Sequence, residues 1–323
     1  MNGARGRLLA WIDAGCVPVD RRHEALRRAG VFPPASDWGR FLDRLLLIAG
    51  VLLLLSGVVT LFAANWERLD RLGRILLVDA SIALALAVVW WKGSAALVGR
   101  WALFGAAVLL GVLLAVVGQA YQTGADVFEL FAVWAALILP WVVLGRFAYL
   151  WLLWFALVNL SLYLYLETFH GFWQIPLGAL ETYWALLLLN GAVLLAWERL
   201  AAHAREWMQG RTVPRLLAVA TISAATVLAV HAATGRGGFS AWLGWSAGLL
   251  LGFWFYRFVR LDLPVLVGLV LSPIVVVVAW VLHHFVIGRG VGAAALLWLA
   301  LIVIGLSSLA GWWLTRVARL AAR

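Results

Sequence analysis

Carboxylates, imidazoles and side-chain amides are the groups that bind cations or pass protons, and in this 323-residue sequence they are sparse and clustered. The stretch Gly118–Glu129 breaks an apolar run with Gln119, Tyr121, Gln122, Thr123, Asp126 and Glu129. Gly118 and Gly124 allow the backbone to leave the helix there. Upstream, Asn65–Arg74 reads as a short interfacial helix capped by Asn65. Its pairs Glu67–Arg71 and Asp70–Arg74 stand acid-before-base at i, i+4, the favoured orientation. Asp79 follows a few residues inside the next apolar segment. A carboxylate in hydrocarbon is costly, so Asp79 is expected to face neighbouring helices with Arg71 or Arg74 reaching it, or to stay protonated. Asn65, Glu67, Asp79, Gln119, Tyr121, Gln122, Asp126 and Glu129 thus form one candidate ligand-binding set, suited to a cationic or polyhydroxyl ligand or to proton coupling.

Other constellations carry less. His170, His231, His283 and His284 fall on the same side as those acids, and imidazoles with carboxylates can hold a divalent metal. No spacing supports one: H-E-x-x-H is absent, and adjacent histidines on a helix diverge by about 100°. Gly244-x-Ser246-x-Gly248 matches the nucleophile-elbow pattern, but that motif needs a strand–turn–helix that lipid excludes. A helix-borne Ser246 with His231 or His283 as base would make an intramembrane serine hydrolase. Gly244, Gly248 and Gly252 at i, i+4 spacing read instead as a small-residue helix-packing face. Gly288-x-Gly290-x-Gly292 follows no strand and is no phosphate loop. Asn159 and Asn190 are expected to bond between helices, and Glu181 is a further polar group at membrane depth. No cofactor is implied.

The elements that position these residues are apolar helices. The chain is 65% hydrophobic and 12% charged, more apolar side chain than a soluble surface can hide. A hydrocarbon core of about 30 Å takes roughly 20 helical residues to cross. The expected fold is an all-α polytopic integral membrane bundle of about ten transmembrane helices, at 45–64, 75–91, 101–118, 128–145, 147–166, 177–197, 216–233, 241–256, 264–282 and 293–314. Pro140 and Pro273 lie inside segments and are expected to kink them. Residues 1–44 are expected to form a cytoplasmic amphipathic region, with Gly15 as a helix stop and Asp20 as a cap, and residues 315–323 a basic cytoplasmic tail. Of the 25 basic residues, Arg68, Arg71, Arg74, Arg236 and Arg289 lie in one set of alternate gaps and all the others in the opposite set. That asymmetry sets both termini inside. The net charge of +10 then reads as a topology signal and an attraction to anionic headgroups, with nucleic acid excluded because the basic residues are scattered over short loops. The first segment starts too late for a cleaved signal peptide and is expected to anchor the chain. Cys16 is the only cysteine, so no internal disulfide forms.

Three stretches carry a family resemblance: Leu8-x-x-Trp11-Ile12-Asp13-Ala14-Gly15, Phe62–Glu67, and Gly118–Asp126. They resemble the predicted membrane proteins grouped as domain of unknown function 2157, over about residues 5–165. The resemblance implies the inner (cytoplasmic) membrane of a bacterial-type cell and an envelope protein with a soluble outer domain as partner. The lipid bilayer is the other partner, and a homo-oligomer is compatible with the sequence. Small-molecule or ion binding and transport through an outward-facing polar pocket is the leading functional expectation. A non-catalytic envelope scaffold or sensor for a soluble partner is the alternative, and an intramembrane serine hydrolase the third.

Overall fold

The structure is a computed structural model and describes residues 8, 11–12, 14–28, 35–65, 70–122, 124–169, 180–203, 206–287 and 293–322. Regular structure among them is entirely helical. Lipid offers no partner for a free N–H or C=O, and a helix satisfies both within its own segment. Two units divide the chain: residues 1–70 with 315–323, and residues 71–314.

In the first unit, Gly15 sits at φ 73°. The Gly15 N–H bonds the Ile12 carbonyl at 3.1 Å and the Cys16 N–H bonds the Trp11 carbonyl at 2.9 Å. These are the two bonds of a Schellman stop, at the glycine the sequence marks for it. A 3-10 turn at Val19–Arg21 leads into α1 (Arg22–Arg28). Helix α2 (Ala35–Asn65) carries the expected span 45–64 and ends at Asn65. The short helix Asn65–Arg74 that the sequence suggests takes in residues 66–69, which lie outside the described residues.

The second unit comprises α3 (Arg71–Lys92), α4 (Leu97–Tyr121), α5 (Val127–Gly145), α6 (Ala148–Thr168), α7 (Glu181–His203), α8 (Thr212–Ala233), α9 (Phe239–Trp254), α10 (Leu263–Val281) and most of α11 (Ala293–Ala322). Pro214 and Pro264 sit in the first turns of α8 and α10, where a missing N–H breaks no bond. Helices α5 and α10 continue through Pro140 and Pro273. Eight described helices are long and apolar enough to cross a membrane: α3 to α8, α10 and α11. The expected span 241–256 falls on α9, which has 16 α-helical residues before it widens into a π-turn at Phe255–Val259. Large side chains such as Leu84, Trp90 and Leu250 stand exposed, as lipid-facing positions do.

Successive helices pair, α3 with α4, α5 with α6 and α7 with α8, and α8 packs further on α9 and α10. Tryptophans fasten these pairs. Trp134 Nε1 on α5 donates to the Ala107 carbonyl of α4 at 2.8 Å, and Gly111 leaves room for that ring: a Cβ there would overlap it. Trp154 Nε1 on α6 donates to the Ala135 carbonyl of α5 at 3.0 Å. Trp245 on α9 donates to Ser272 Oγ on α10 at 2.9 Å, and Ser272 also meets Thr226 Oγ1 of α8 at 2.6 Å. All three rings lie within their helices and bond across to a neighbour.

Candidate functional site

The polar turn between α4 and α5 forms because helix α4 cannot continue. Gln122 takes left-handed angles (φ 47°, ψ 50°) and Gly124 follows at φ 65°. Gly118 stays helical, so the break falls at Gln122 itself, a conformation a glutamine adopts at some cost. Asp126 stands at the N-cap position of α5, its carbonyl accepting the Glu129 N–H at 3.0 Å while its carboxylate makes no capping bond. Both acids lie where the positive end of the helix dipole favours them. Gln119, Tyr121, Gln122, Asp126 and Glu129 are all exposed. Asp79 on α3 is also exposed, beside a Val78 that is wholly buried. The sequence suggests that Asp79 faces other helices; the register of α3 gives that side to Val78. Glu67, Thr123 and His170 lie outside the described residues, as does the side chain of Asn65. Three apolar cavities of about 390 to 550 Å³ open between helices of the second unit, and none is lined by Asp79 or by the polar turn.

Ser246 is half-buried on α9 and gives its hydroxyl to the Leu243 carbonyl at 3.2 Å. His231 lies ring to ring with Tyr183 at 5.6 Å. His283 and His284 fall in a π-turn (Leu282–Ile287), where His284 Nδ1 is 3.0 Å from the Trp280 carbonyl. Among the described residues no three His, Cys, Asp or Glu side chains converge. A Cβ on Gly244 would overlap the ring of Trp184 on α7, one on Gly252 would lie 3.1 Å from Leu269 on α10, and Gly248 has open space. Asn159 and Asn190 form a reciprocal amide pair between α6 and α7. Asn190 Nδ2 donates to Asn159 Oδ1 at 2.5 Å, Asn159 Nδ2 to Asn190 Oδ1 at 3.2 Å, and each amide also donates to a carbonyl in its own helix. Every amide hydrogen is thereby used, which makes the pair a fastener between helices.

The strongest charge cluster is one the sequence does not reveal. Glu198 at the end of α7 and Asp262 before α10 are 5% and 3% exposed. Arg211, ahead of α8, bridges them: its Nη1 is 2.9 Å from Glu198 Oε1 and its Nε 2.7 Å from Asp262 Oδ2. Arg260 Nη1 donates to Glu198 Oε2 at 2.6 Å and Tyr256 OH to Oε1 at 3.1 Å. Arg215 Nε reaches Asp262 Oδ1 at 3.1 Å. Burial lowers the Arg211 pKa, but the hydrogen bond it donates to Asp262 and the charge of Glu198 outweigh it and hold it above its ordinary value. Three guanidinium groups against two carboxylates leave one positive charge over. The π-turn at Phe255–Val259 brings Tyr256 and Arg260 round to the same carboxylate. The one signal in the sequence was that Glu198 and Asp262 stand among the arginines of two short gaps, and a tally of basic residues alone passes over them.

The first half of the chain thus carries an exposed polar turn between two membrane-length helices. Residues 9–151 match the family described as predicted membrane protein (DUF2157). No curated protein and no solved structure matches the chain. The DUF2157 segment ends in the first turn of α6, so it holds Asp79 and the whole polar turn. Every member of the buried charge cluster lies beyond it. The chain is a helical, multi-span membrane protein, and what distinguishes its second half is the packing of α7 to α10 about that cluster.

Proposed function

We propose that the protein is a non-catalytic binding protein of a bacterial-type inner membrane, which offers the turn Gln119–Glu129 to a soluble partner on the outer side. In this reading residues 1–44 and 315–323 are cytoplasmic and residues 45–314 form the membrane domain. The observation that carries it is the exposure of every described polar side chain of the turn, Gln119, Tyr121, Gln122, Asp126 and Glu129. A pocket that selected a cation or coupled a proton would draw its carboxylates inward and partner them. Here the acids that are drawn inward, Glu198 and Asp262, stand at the arginine-bearing ends of the helices, apart from the turn in sequence and fold. Ser246 spends its hydroxyl inside its own helix, so the hydrolase reading has no support. Transport through Asp79 is the competing reading.

The test is a photo-reactive amino acid in place of Tyr121, activated in intact cells. The expected outcome is a discrete protein adduct that Asp126→Ala with Glu129→Ala removes and Asp79→Asn leaves unchanged. Adducts to lipid alone would overturn the reading. Solute flux across vesicles that contain the pure protein, abolished by Asp79→Asn, would establish transport in its place.

A further inference from the structure

A groove of about 550 Å³ opens beside α6, within the volume range of small-molecule sites. Phe104 of α4, Tyr149, Leu152 and Asn159 of α6, and Leu216 and Ala220 of α8 line it. Its walls are almost wholly apolar. Along α6 it extends from Tyr149 to Asn159, ten residues or about 15 Å at the helical rise. That is half of a hydrocarbon core of about 30 Å, the depth of one leaflet. The Asn159–Asn190 pair marks its inner end, and because those amides satisfy one another the groove presents no free polar group there.

Its mouth is different. Tyr149 opens the first turn of α6 and is exposed, with its ring 5.2 Å from that of Trp101. Three arginines belong to the same end. Arg100 precedes Phe104 by one helical turn on the same face of α4, and its Nε is buried with no hydrogen-bond partner among the described residues. Arg146 lies in the turn three residues before Tyr149, exposed and left-handed at φ 45°. Arg215 adjoins Leu216, and 44% of its side chain stays exposed while its Nε holds Asp262. Among the described residues, the carboxylates nearest in the fold, Glu198 and Asp262, are already matched within their own cluster. An apolar slot one leaflet deep, with surplus positive charge and a phenol at its mouth, has the shape and charge of a phospholipid. We propose that this groove seats one acyl chain of an anionic phospholipid, with the headgroup phosphate held by Arg100, Arg146 and Arg215 and bonded by the Tyr149 hydroxyl. The proposal is independent of the function assigned to the polar turn.

The test uses the full chain in phosphatidylcholine vesicles containing a minor fraction of phosphatidylglycerol with a diazirine on one acyl chain. A matched phosphatidylcholine probe serves as comparison. Adducts are expected on the peptides that carry Leu152 and Leu216–Ala220, with phosphatidylglycerol favoured about fivefold, the equivalent of roughly 1 kcal/mol for a cationic contact. Arg100→Gln with Arg146→Gln should remove that preference and leave phosphatidylcholine labelling unchanged. Ala220→Trp, which fills the slot, should lower labelling by both probes. Equal labelling by the two probes in the unaltered protein, or adducts spread evenly over the lipid-facing sides of α3 and α10, would overturn the proposal. If Ala220→Trp does not fold, the arginine pair decides it.

Discussion

Glu198 accepts from three donors at once. Arg211 Nη1 reaches both oxygens, Arg260 shares Oε2 and Tyr256 shares Oε1. Removing the charge from one partner of a buried pair leaves the other uncompensated, which costs about 3–5 kcal/mol where burial is complete. Arg211 and Arg260 keep 21% and 35% of their side-chain exposure, so the lower end of that range applies. Glu198→Gln is therefore expected to destabilise the purified protein by about 3 kcal/mol. Asp126→Asn, on an exposed carboxylate with no capping bond, should stay within about 0.5 kcal/mol of the parent. Thermal unfolding in detergent micelles separates them. If the two variants melt alike, the cluster is not the clasp described above. Only part of this was legible from the residues. That Asn159 and Asn190 bond across helices follows from their type and depth. That Glu198 and Asp262 are the buried acids does not, because burial depends on which helices meet, and hydropathy along one chain does not contain that.

At the scale of elements, segment positions came through because the bilayer dictates them. Helices α3 to α8 and α10 lie over the apolar runs from which they are expected, with boundaries a few residues apart. Which faces meet was not legible. Lipid tails are as apolar as leucine, so helix pairing rests on shape and on a few interhelical bonds, not on a periodic apolar stripe. The glycines of α9 share one spacing and have three different surroundings: Trp184, open space, and Leu269. On α4, Gly111 lies against Trp134. Gly111→Ala is expected to push that ring off, lose its bond to the Ala107 carbonyl and cost about 1–3 kcal/mol. Gly248→Ala meets nothing and, in a helix interior, should gain about 0.5–1 kcal/mol. Chemical unfolding of the two variants should therefore shift in opposite directions. A stabilised Gly111→Ala would mean that α4 and α5 do not approach as closely as described.

For the whole molecule, the buried cluster constrains how often the chain crosses the membrane. Arg211 and Asp262 touch, so the chain is on the same side of the bilayer before α8 as it is after α9 and its π-turn. Helix α8 spans 22 residues and is long enough to cross, so α9 must bring the chain back. Its 16 residues alone fall short, but with the five of the π-turn the helical run reaches 21 residues, at most about 30 Å. That equals the hydrocarbon thickness. The π-turn thus extends a short span to the arginine-bearing side while it aims Tyr256 and Arg260 at Glu198. The parity is measurable with single cysteines in a Cys16→Ala background and a membrane-impermeant thiol reagent. Gln122→Cys and Gly237→Cys, separated by four crossings of α5 to α8, should both react in intact cells. Gly210→Cys should react only after the membrane is opened, as should Leu261→Cys beyond α9. Reaction of Leu261→Cys from the same side as Gly237→Cys would mean that α9 does not cross, and the contact of Arg211 with Asp262 could not then exist in the membrane.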